Sequence, residues 1–396
     1  MTRLSSGLLL LFSATIAVHA QQEICAKQVD IASEADLSSI AACSTFSGSV
    51  TISGAGINAV AWPALNSLTG SIKVTSNPHL AGLHLDGLKT STGTITLYNN
   101  TILSVVDMPN LQSINSLEIV TAPNLRQLSL SSVETMKSLK IEDTGLDNSG
   151  TLPWSRLRQA TDLGVSNNKF LKVIDMPSLK VVSGKLVIAA NGVMEGQSDG
   201  SSLLLSNLTA CSNCTFRHLT ELKVPSLSAV SASLSFDETS LEKLDVPALK
   251  TVGQTLSIVS NNVLSNISFA ELTSIGGALL IANNTELTTI DGFQNLKDIA
   301  GVLNMRGAFN NISLPHVTNV QGGMSVLSSS NDFDCSTLAK VKAGARGKTV
   351  CRAKVVSAKP TNAEGSLVNA GTAAGDISMG SAFAATIMTA AAILFF

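Results

Sequence analysis

The chain has few of the residues that bind polyanions, stack on sugars or hold metals. Charged residues make up 14% of 396 and the formal net charge is −2. The basic surface that phosphate recognition needs is therefore missing, and nucleic acid is excluded as a partner. Aromatics are 4%, with one tyrosine (Tyr98) and two tryptophans (Trp62 and Trp154). Scattered in this way they build no carbohydrate platform, and Trp62, just ahead of Pro63, reads as packing. Of five histidines, His79, His84, His218 and His316 lie beyond the leader. None has a metal-ligand spacing or a nucleophile motif beside it, and no G-x-S-x-G elbow occurs. No cofactor, metal or catalytic centre is expected.

What is present begins at the ends. Asn369-Ala370-Gly371 is a run of small residues, followed by the spacer Thr372–Gly380 and the apolar stretch Ser381–Phe396, which no Lys or Arg follows. That is the pattern a transamidase exchanges for a glycosylphosphatidylinositol (GPI) lipid. A transmembrane helix is the weaker alternative: the tail is short for the roughly 20 apolar residues of a span and has no basic anchor beyond it. At the other end Arg3 precedes the apolar run Gly7–Val18, and Val18-His19-Ala20 suits a signal peptidase. The expected organisation starts with a signal peptide over 1–20. The mature chain then runs from about Gln21 to Asn369, attached through its lipid to the outer leaflet of the plasma membrane, with 370–396 removed.

Such a chain meets an oxidising compartment, and its six cysteines fall into short-range pairs. Cys25 with Cys43, Cys211 with Cys214, and Cys335 with Cys351 read as disulfides. N-x-Ser/Thr sequons stand at Asn99, Asn207, Asn213, Asn266, Asn283 and Asn311; glycans there would supply the polarity that so few charges leave wanting. In Cys211-Ser212-Asn213-Cys214, a thioredoxin-like redox motif would need a βαβ unit and zinc a second ligand pair. A local disulfide pinning an insertion is favoured.

The interior is a repeat. The unit apolar-x-apolar-x-x-Asn appears as IKVTSN (72–77), ITLYNN (95–100), LSIVSN (256–261) and LLIANN (279–284). Its middle position falls at Thr51, Lys73, Thr96, Glu118, Lys140, Gly164, Val187, Ser235, Ser257, Leu280, Asn304 and Ser325. Successive steps are 21 to 24 residues, apart from one of 48 that spans two repeats. A second element, Pro-x-apolar-x-x-apolar, recurs at Pro63, Pro109, Pro177, Pro225, Pro247 and Pro315, and marks corners, because proline cannot donate to a central ladder. Alternation over three to five residues makes strands, too short for helices. One such coil cannot bury its apolar side, whereas a stack of coils about 4.8 Å apart builds a continuous core. The Asn at the strand end recurs at Asn77, Asn100, Asn168, Asn191, Asn261 and Asn284. Stacked inward, these amides would form a hydrogen-bonded ladder along the stack. Asn99 and Asn283 share the preceding position and should point outward.

The prediction is an all-β solenoid divided as follows. An N-terminal cap (21–47) holds a short helix that begins at the capping box Ser33–Asp36 and is tied by Cys25 and Cys43. Repeats fill 48–190, an insertion and irregular repeat fill 191–231, and repeats resume over 232–330. A C-terminal cap (331–356) is closed by Cys335 and Cys351, and a stalk covers 357–369.

The strings VIDMPSLKVVSG (173–184), KLDVPALKTVGQ (243–254) and NDFDCSTL (331–338), in this order between a signal peptide and a GPI signal, resemble the fungal GPI-anchored cell-wall organisation proteins of the Ecm type. The resemblance covers essentially the whole mature chain. It implies a right-handed β-helix or leucine-rich-repeat-like solenoid similar to receptor L domains, and a non-enzymatic surface glycoprotein that supports wall organisation and integrity. Partners would be wall polysaccharides or wall proteins; the family has no catalytic residues to carry over. An adhesin or ligand-binding receptor ectodomain is the alternative. A wall-modifying glycosidase or lyase is the third reading, weakened because Glu118 is the one acid among the repeat-middle residues and Lys140 stands beside it. Glycoside cleavage needs two carboxyls about 5 to 9 Å apart.

Overall fold

The computed structural model describes residues 23–54, 56–148, 154–193 and 200–355. The signal peptide, the stalk, Asn369 and the segment 370–396 lie outside them. The described chain coils into a parallel β-solenoid whose long side is one sheet of 22 strands. The repeat-middle residues form a single in-register row from Asp30 through Thr51, Lys73, Thr96 and Glu118 to Ser325 and Val350, fourteen coil-to-coil steps in all. The residue that completes the long step is Thr215, which pairs with Val187 on one side and Ser235 on the other. The sheet passes unbroken through the middle, so the stack is one rod.

Alternation fixes which side is wet. The neighbours of each row residue turn inward: Ile72 and Val74, Leu117 and Ile119, Leu256 and Ile258 are each no more than 2% exposed. They form two apolar columns, and the corner leucines Leu65, Leu88, Leu111, Leu179 and Leu249 supply a third, fully buried one. Each such side chain contributes about 1.5 to 3 kcal/mol by burial. Phe216 stacks towards Phe236 at 5.6 Å and Phe269 on Phe293 at 5.2 Å, one ring per coil.

The opposite side is narrower and interrupted. Its first sheet joins Ala59–Ala61, Gly82–His84, Val105–Asp107 and Gln127–Ser129, and its second joins Val173–Asp175, Ser201–Leu204 and Leu219–Lys223. Between the two, the Asn148 side chain replaces a strand. Its Oδ1 accepts from the Lys172 and Val173 amides and its Nδ2 donates to the Val173 carbonyl.

The asparagine ladder is present and buried. Asn168 Nδ2 donates to Asn191 Oδ1 (2.9 Å) and Asn261 Nδ2 to Asn284 Oδ1 (3.0 Å), while Asn100 Nδ2 reaches the Val74 carbonyl one coil back (3.0 Å). Two rungs are threonines: Thr144 and Thr239 donate through their hydroxyls to Asn168 and Asn261. At Ala122 and Leu219 no polar side chain fills the position, so the ladder is interrupted twice. The residue ahead of each rung takes the left-handed conformation: Ser76, Asn99, Thr121, Asp143, Asn167, Ala190, His218, Glu238, Ser260 and Asn283 all have φ between 49° and 59°. A second, exposed ladder follows the proline corners. Asn110, Asn207 and Asn295 donate to the carbonyls of Asp86, Pro177 and Ala270, each one coil back.

Both ends are closed. The helix Glu34–Ile40 starts at a complete capping box, with Ser33 N–H donating to Asp36 Oδ2 at 2.9 Å, and it buries Leu37 and Ile40. The disulfide of Cys25 and Cys43 (Cα–Cα 5.7 Å) ties it down. At the far end the 3-10 turn Cys335–Leu338 and the helix Ala339–Gly344 lead to Thr349–Arg352, the last strand of the long sheet, joined back through Cys335 and Cys351 at Cα–Cα 5.9 Å. Among the described residues no helix is long and apolar enough to cross a membrane.

Candidate functional site

A solenoid presents chemistry as rows, one residue per coil. On the outer face of the long sheet, Lys140 sits between Glu142 (3.0 Å) and Glu118 (3.8 Å), a surface charge cluster worth little individually. Two residues ahead of the repeat-middle row runs another row that the sequence pattern did not single out: Gln28, Ser49, Ser71, Thr94, Ser116 and Ser138, in register on six successive coils. Among the described residues, no hydrogen bond engages the five hydroxyls of this row. The row then becomes charged at Asp162, whose Oδ1 accepts from the Lys185 amide (2.8 Å), and Lys185 pairs with Asn213.

The sheet bends beside this row, and the bend makes a groove. Gln28, Ser49, Ser71 and Thr94 lie on one side and Thr92 and Asn115 on the other of a shallow, open depression of about 500 Å³. A second hollow of about 380 Å³ continues past Thr92 and Asn115 towards Lys137 and Thr161. No charged or aromatic side chain lines the first part. The floor is Gly48, Gly70 and Gly93, packed carbonyl against Cα from coil to coil. The sequence signal for this site is weak, since Ser and Thr are ordinary on exposed strands; the bend is what makes the row a site.

A second polar cluster lies further along the same face. Asp237 accepts a hydrogen bond from Ser235 (2.6 Å), and Ser235 and Ser257 are themselves buried although they point outward. Arg217 pairs across the coil with Asp237 in the strand register and bonds Glu238 with its guanidinium. Burial raises the Asp237 carboxyl above its ordinary range, outweighing the Ser235 bond and the Arg217 charge that lower it. Burial, with Arg217 adding to it, holds His218 below its own ordinary range. Because the folded state favours the protonated acid, ionised Asp237 opposes folding at neutral pH, and the penalty shrinks as pH falls towards the ordinary carboxylate range. Asp237→Asn is therefore expected to raise the thermal midpoint at neutral pH by a few degrees, with the gain gone by about pH 4. Comparing variant and parent at each pH cancels the His218 titration, and a gain that persists in acid would refute the assignment.

The other singled-out residues fall as follows. His84 Nδ1 is 3.2 Å from Asp107 on the narrow side, and Gln127 donates to the same carboxylate at 3.0 Å. Ser129 pairs in register with Asp107, so the acid lies between His84 and the hydroxyl, an order that gives no relay from serine to histidine. His316 meets the Gln294 carbonyl at the proline corner. Among the described residues no group of three or more His, Cys, Asp or Glu is placed to hold a metal ion. Asn99, Asn207, Asn266, Asn283 and Asn311 are exposed and Asn213 is half-buried. Asn213 is the one sequon on the long face; Asn266 and Asn311 start strands of the narrow side. Cys211 and Cys214 lie inside the strand Ala210–Arg217, in the core columns where neighbouring coils place Val182 and Leu186, and are joined to each other. Both are buried.

Comparison with known proteins adds the biological frame. The chain is 30% identical over 284 residues to sporulation-specific protein 2 of Saccharomyces cerevisiae, covering 71% of this chain and 54% of that one. It thus spans little more than half the length of that relative, and 58% of sporulation-specific protein 22 of the same yeast. A cell surface GPI-anchored protein of Arthroderma benhamiae is 30% identical over 298 residues, 69% of this chain and 74% of that protein. Protein ecm33 of Aspergillus fumigatus is 27% identical over 314 residues, 79% and 70% of the two chains. No family model matches the chain, and no solved structure does.

Proposed function

From the premise that the chain belongs to the family of fungal cell-surface proteins that includes these GPI-anchored and Ecm33 relatives, we propose that it organises the cell wall without catalysis, as a tethered rod that offers its long outer face to wall components. The observation that carries this reading is the match over 74% of a cell surface GPI-anchored protein by a chain whose repeat-middle residues stay in one row from Asp30 to Val350. Asn369 is the attachment residue for the lipid, and the mature chain begins near Gln21. The six sequons at Asn99, Asn207, Asn213, Asn266, Asn283 and Asn311 carry the glycans. On this view five of the six glycans stand off the long face, and Asn213 puts the sixth beyond the groove.

Non-catalytic presentation suits the chemistry of that face. Glu118 and Glu142 are tied to Lys140, and Asp237 is held by Ser235. The test is growth of a deletion strain on a wall-perturbing dye, complemented with the full chain or with a chain ending at Gly371. Hypersensitivity rescued only by the anchored form is the expected result. Normal growth of the deletion strain on the dye would overturn the proposal and favour a receptor or adhesin.

A further inference from the structure

The whole-chain charge of −2 conceals a separation of charge. Residues 23–334 hold 18 Lys and Arg against 26 Asp and Glu, whereas 335–355, the last coil, hold six and none. We propose that this basic C-terminal cap is a docking surface for the anionic phosphodiester headgroups of the leaflet that holds the anchor. The proposal rests on the tethered reading above and goes beyond it, giving the end of the rod a partner of its own.

The first support is where the cations stand. Lys340 and Lys342 flank the buried Val341 on the helix Ala339–Gly344, and Arg346 and Lys348 follow in the segment leading to the last strand. Arg352 ends that strand and Lys354 comes just after it. All six are exposed. Their coil is stacked on one side, through Thr349–Arg352 on Met324–Leu327 and Ala345 on Val320. The other side is the end of the rod, so the six charges gather there.

The second is that this charge is not neutralised from within. Along the rod, Lys27, Arg126, Lys140, Arg217, Lys223 and Lys243 each meet a carboxylate. Among the described residues Lys340, Lys342, Arg346, Arg352 and Lys354 meet none. Asp334, just ahead of the coil, is committed to the Ser336 amide at 2.9 Å. Like charges on one coil repel one another, and an anionic surface offsets that cost.

The third is position. Residues 356–369, 14 in all, link the cap to Asn369 and span at most about 50 Å. The opposite cap lies fourteen coil steps away, about 70 Å along the axis. The basic end is therefore the end held next to the bilayer, where the anchor's own phosphatidylinositol supplies a phosphodiester. A short tether sets an effective concentration in the mM range, so even a weak contact is occupied. The fourth is access. No sequon follows Asn311, so the last coil bears no N-linked glycan. A second copy is a poorer partner: at its acidic end Glu23 is paired with Lys27 and Asp36 is held in the capping box.

The experiment is flotation of the secreted chain ending at Gly371, which keeps every described residue and carries no lipid. The vesicles are phosphatidylcholine alone or phosphatidylcholine mixed with phosphatidylinositol, at about 0.15 M and about 1 M salt. Each cation near an anionic surface multiplies partition about fivefold. Partition onto the mixed vesicles is expected to exceed that onto phosphatidylcholine at least tenfold at the lower salt. The excess should vanish at the higher salt, where the screening length is about 3 Å. Lys340→Glu, Lys342→Glu and Arg346→Glu combined should reduce binding at least tenfold. The same number of reversals along the rod, at the exposed Lys89, Lys172 and Lys250, should leave it within twofold.

The salt dependence needs no variant, so misfolding of the cap variant would not protect the idea. Absence of binding, equal partition onto both vesicles, or partition that salt leaves unchanged overturns it. Self-association without vesicles, abolished by the cap reversals, assigns the surface to a second copy and also overturns the lipid. If the vesicles fail while the deletion strain stays dye-sensitive and needs the anchored form, the tethered wall-organising role stands. A strain that grows normally on the dye refutes that role whatever the flotation shows.

Discussion

Asn261→Ala is expected to remove about 3 to 5 kcal/mol of stability. Its Oδ1 accepts from both the amide and the hydroxyl of Thr239 (2.8 and 2.6 Å). Its Nδ2 donates to the Phe236 carbonyl and to Asn284 Oδ1, both at 3.0 Å. Alanine leaves these groups buried without partners, and each orphan costs about 1 to 3 kcal/mol. Asn77→Ala provides the internal comparison. Asn77 is at the end of its run; its Oδ1 serves the His79 and Leu80 amides, but its Nδ2 has no partner. Its loss should cost less than half as much. Urea unfolding of the two ectodomains measures the difference, and equal midpoints would show that the ladder adds nothing beyond ordinary turn bonding. In a repeat protein the transition need not be two-state, so midpoints are compared before free energies.

Gly93→Ala is expected to abolish secretion of folded protein. A Cβ on Gly93 would lie 1.4 Å from the Gly70 carbonyl oxygen, and one on Gly70 would lie 1.6 Å from that of Gly48. The obstruction is backbone, so no rotamer relieves it. The coils would have to separate where Gly93 packs on the Gly70 carbonyl, and overpacking of this kind exceeds what a core absorbs. Gly56→Ala, with nothing within 4 Å of its new methyl, is the matched control. Folded Gly93→Ala with a parental melting profile would mean the coils are spaced more loosely at the bend than described.

These two positions also separate what the sequence displays from what it hides. Asn261 was legible because strand alternation admits one register only: a slip of one residue would turn Leu256 and Ile258 out to water. The same logic places twelve repeat-middle residues in one row. Ser33 and Asp36 were legible as a capping box because the motif is local. Thr215 was hidden, since its coil is 28 residues from Val187 and breaks the period. Thr144 and Thr239 were hidden because a hydroxyl takes the amide's place without its name. The pair Cys211 and Cys214 is inside a strand of the long sheet rather than in the extra residues after Asn191, because each cysteine fills a core column where other coils use Val or Leu. The groove was least legible: its floor depends on contacts between glycines 22 and 23 residues apart, such as Gly48 with Gly70 and Gly70 with Gly93, and its walls are residue types that fill any wet strand.

The direction of the bonds between coils has a mechanical meaning. In a parallel solenoid they run along the rod, so tension between the two ends pulls each bond along its own length, in series. Such a rod peels instead of shearing. Each yielding coil of about 23 residues pays out roughly 75 Å of chain, while the cross-links at Cys25–Cys43 and Cys335–Cys351 keep the terminal loops from lengthening. A rod loaded between its ends would give way coil by coil, each step at low force, and recover in the same units when the load is released.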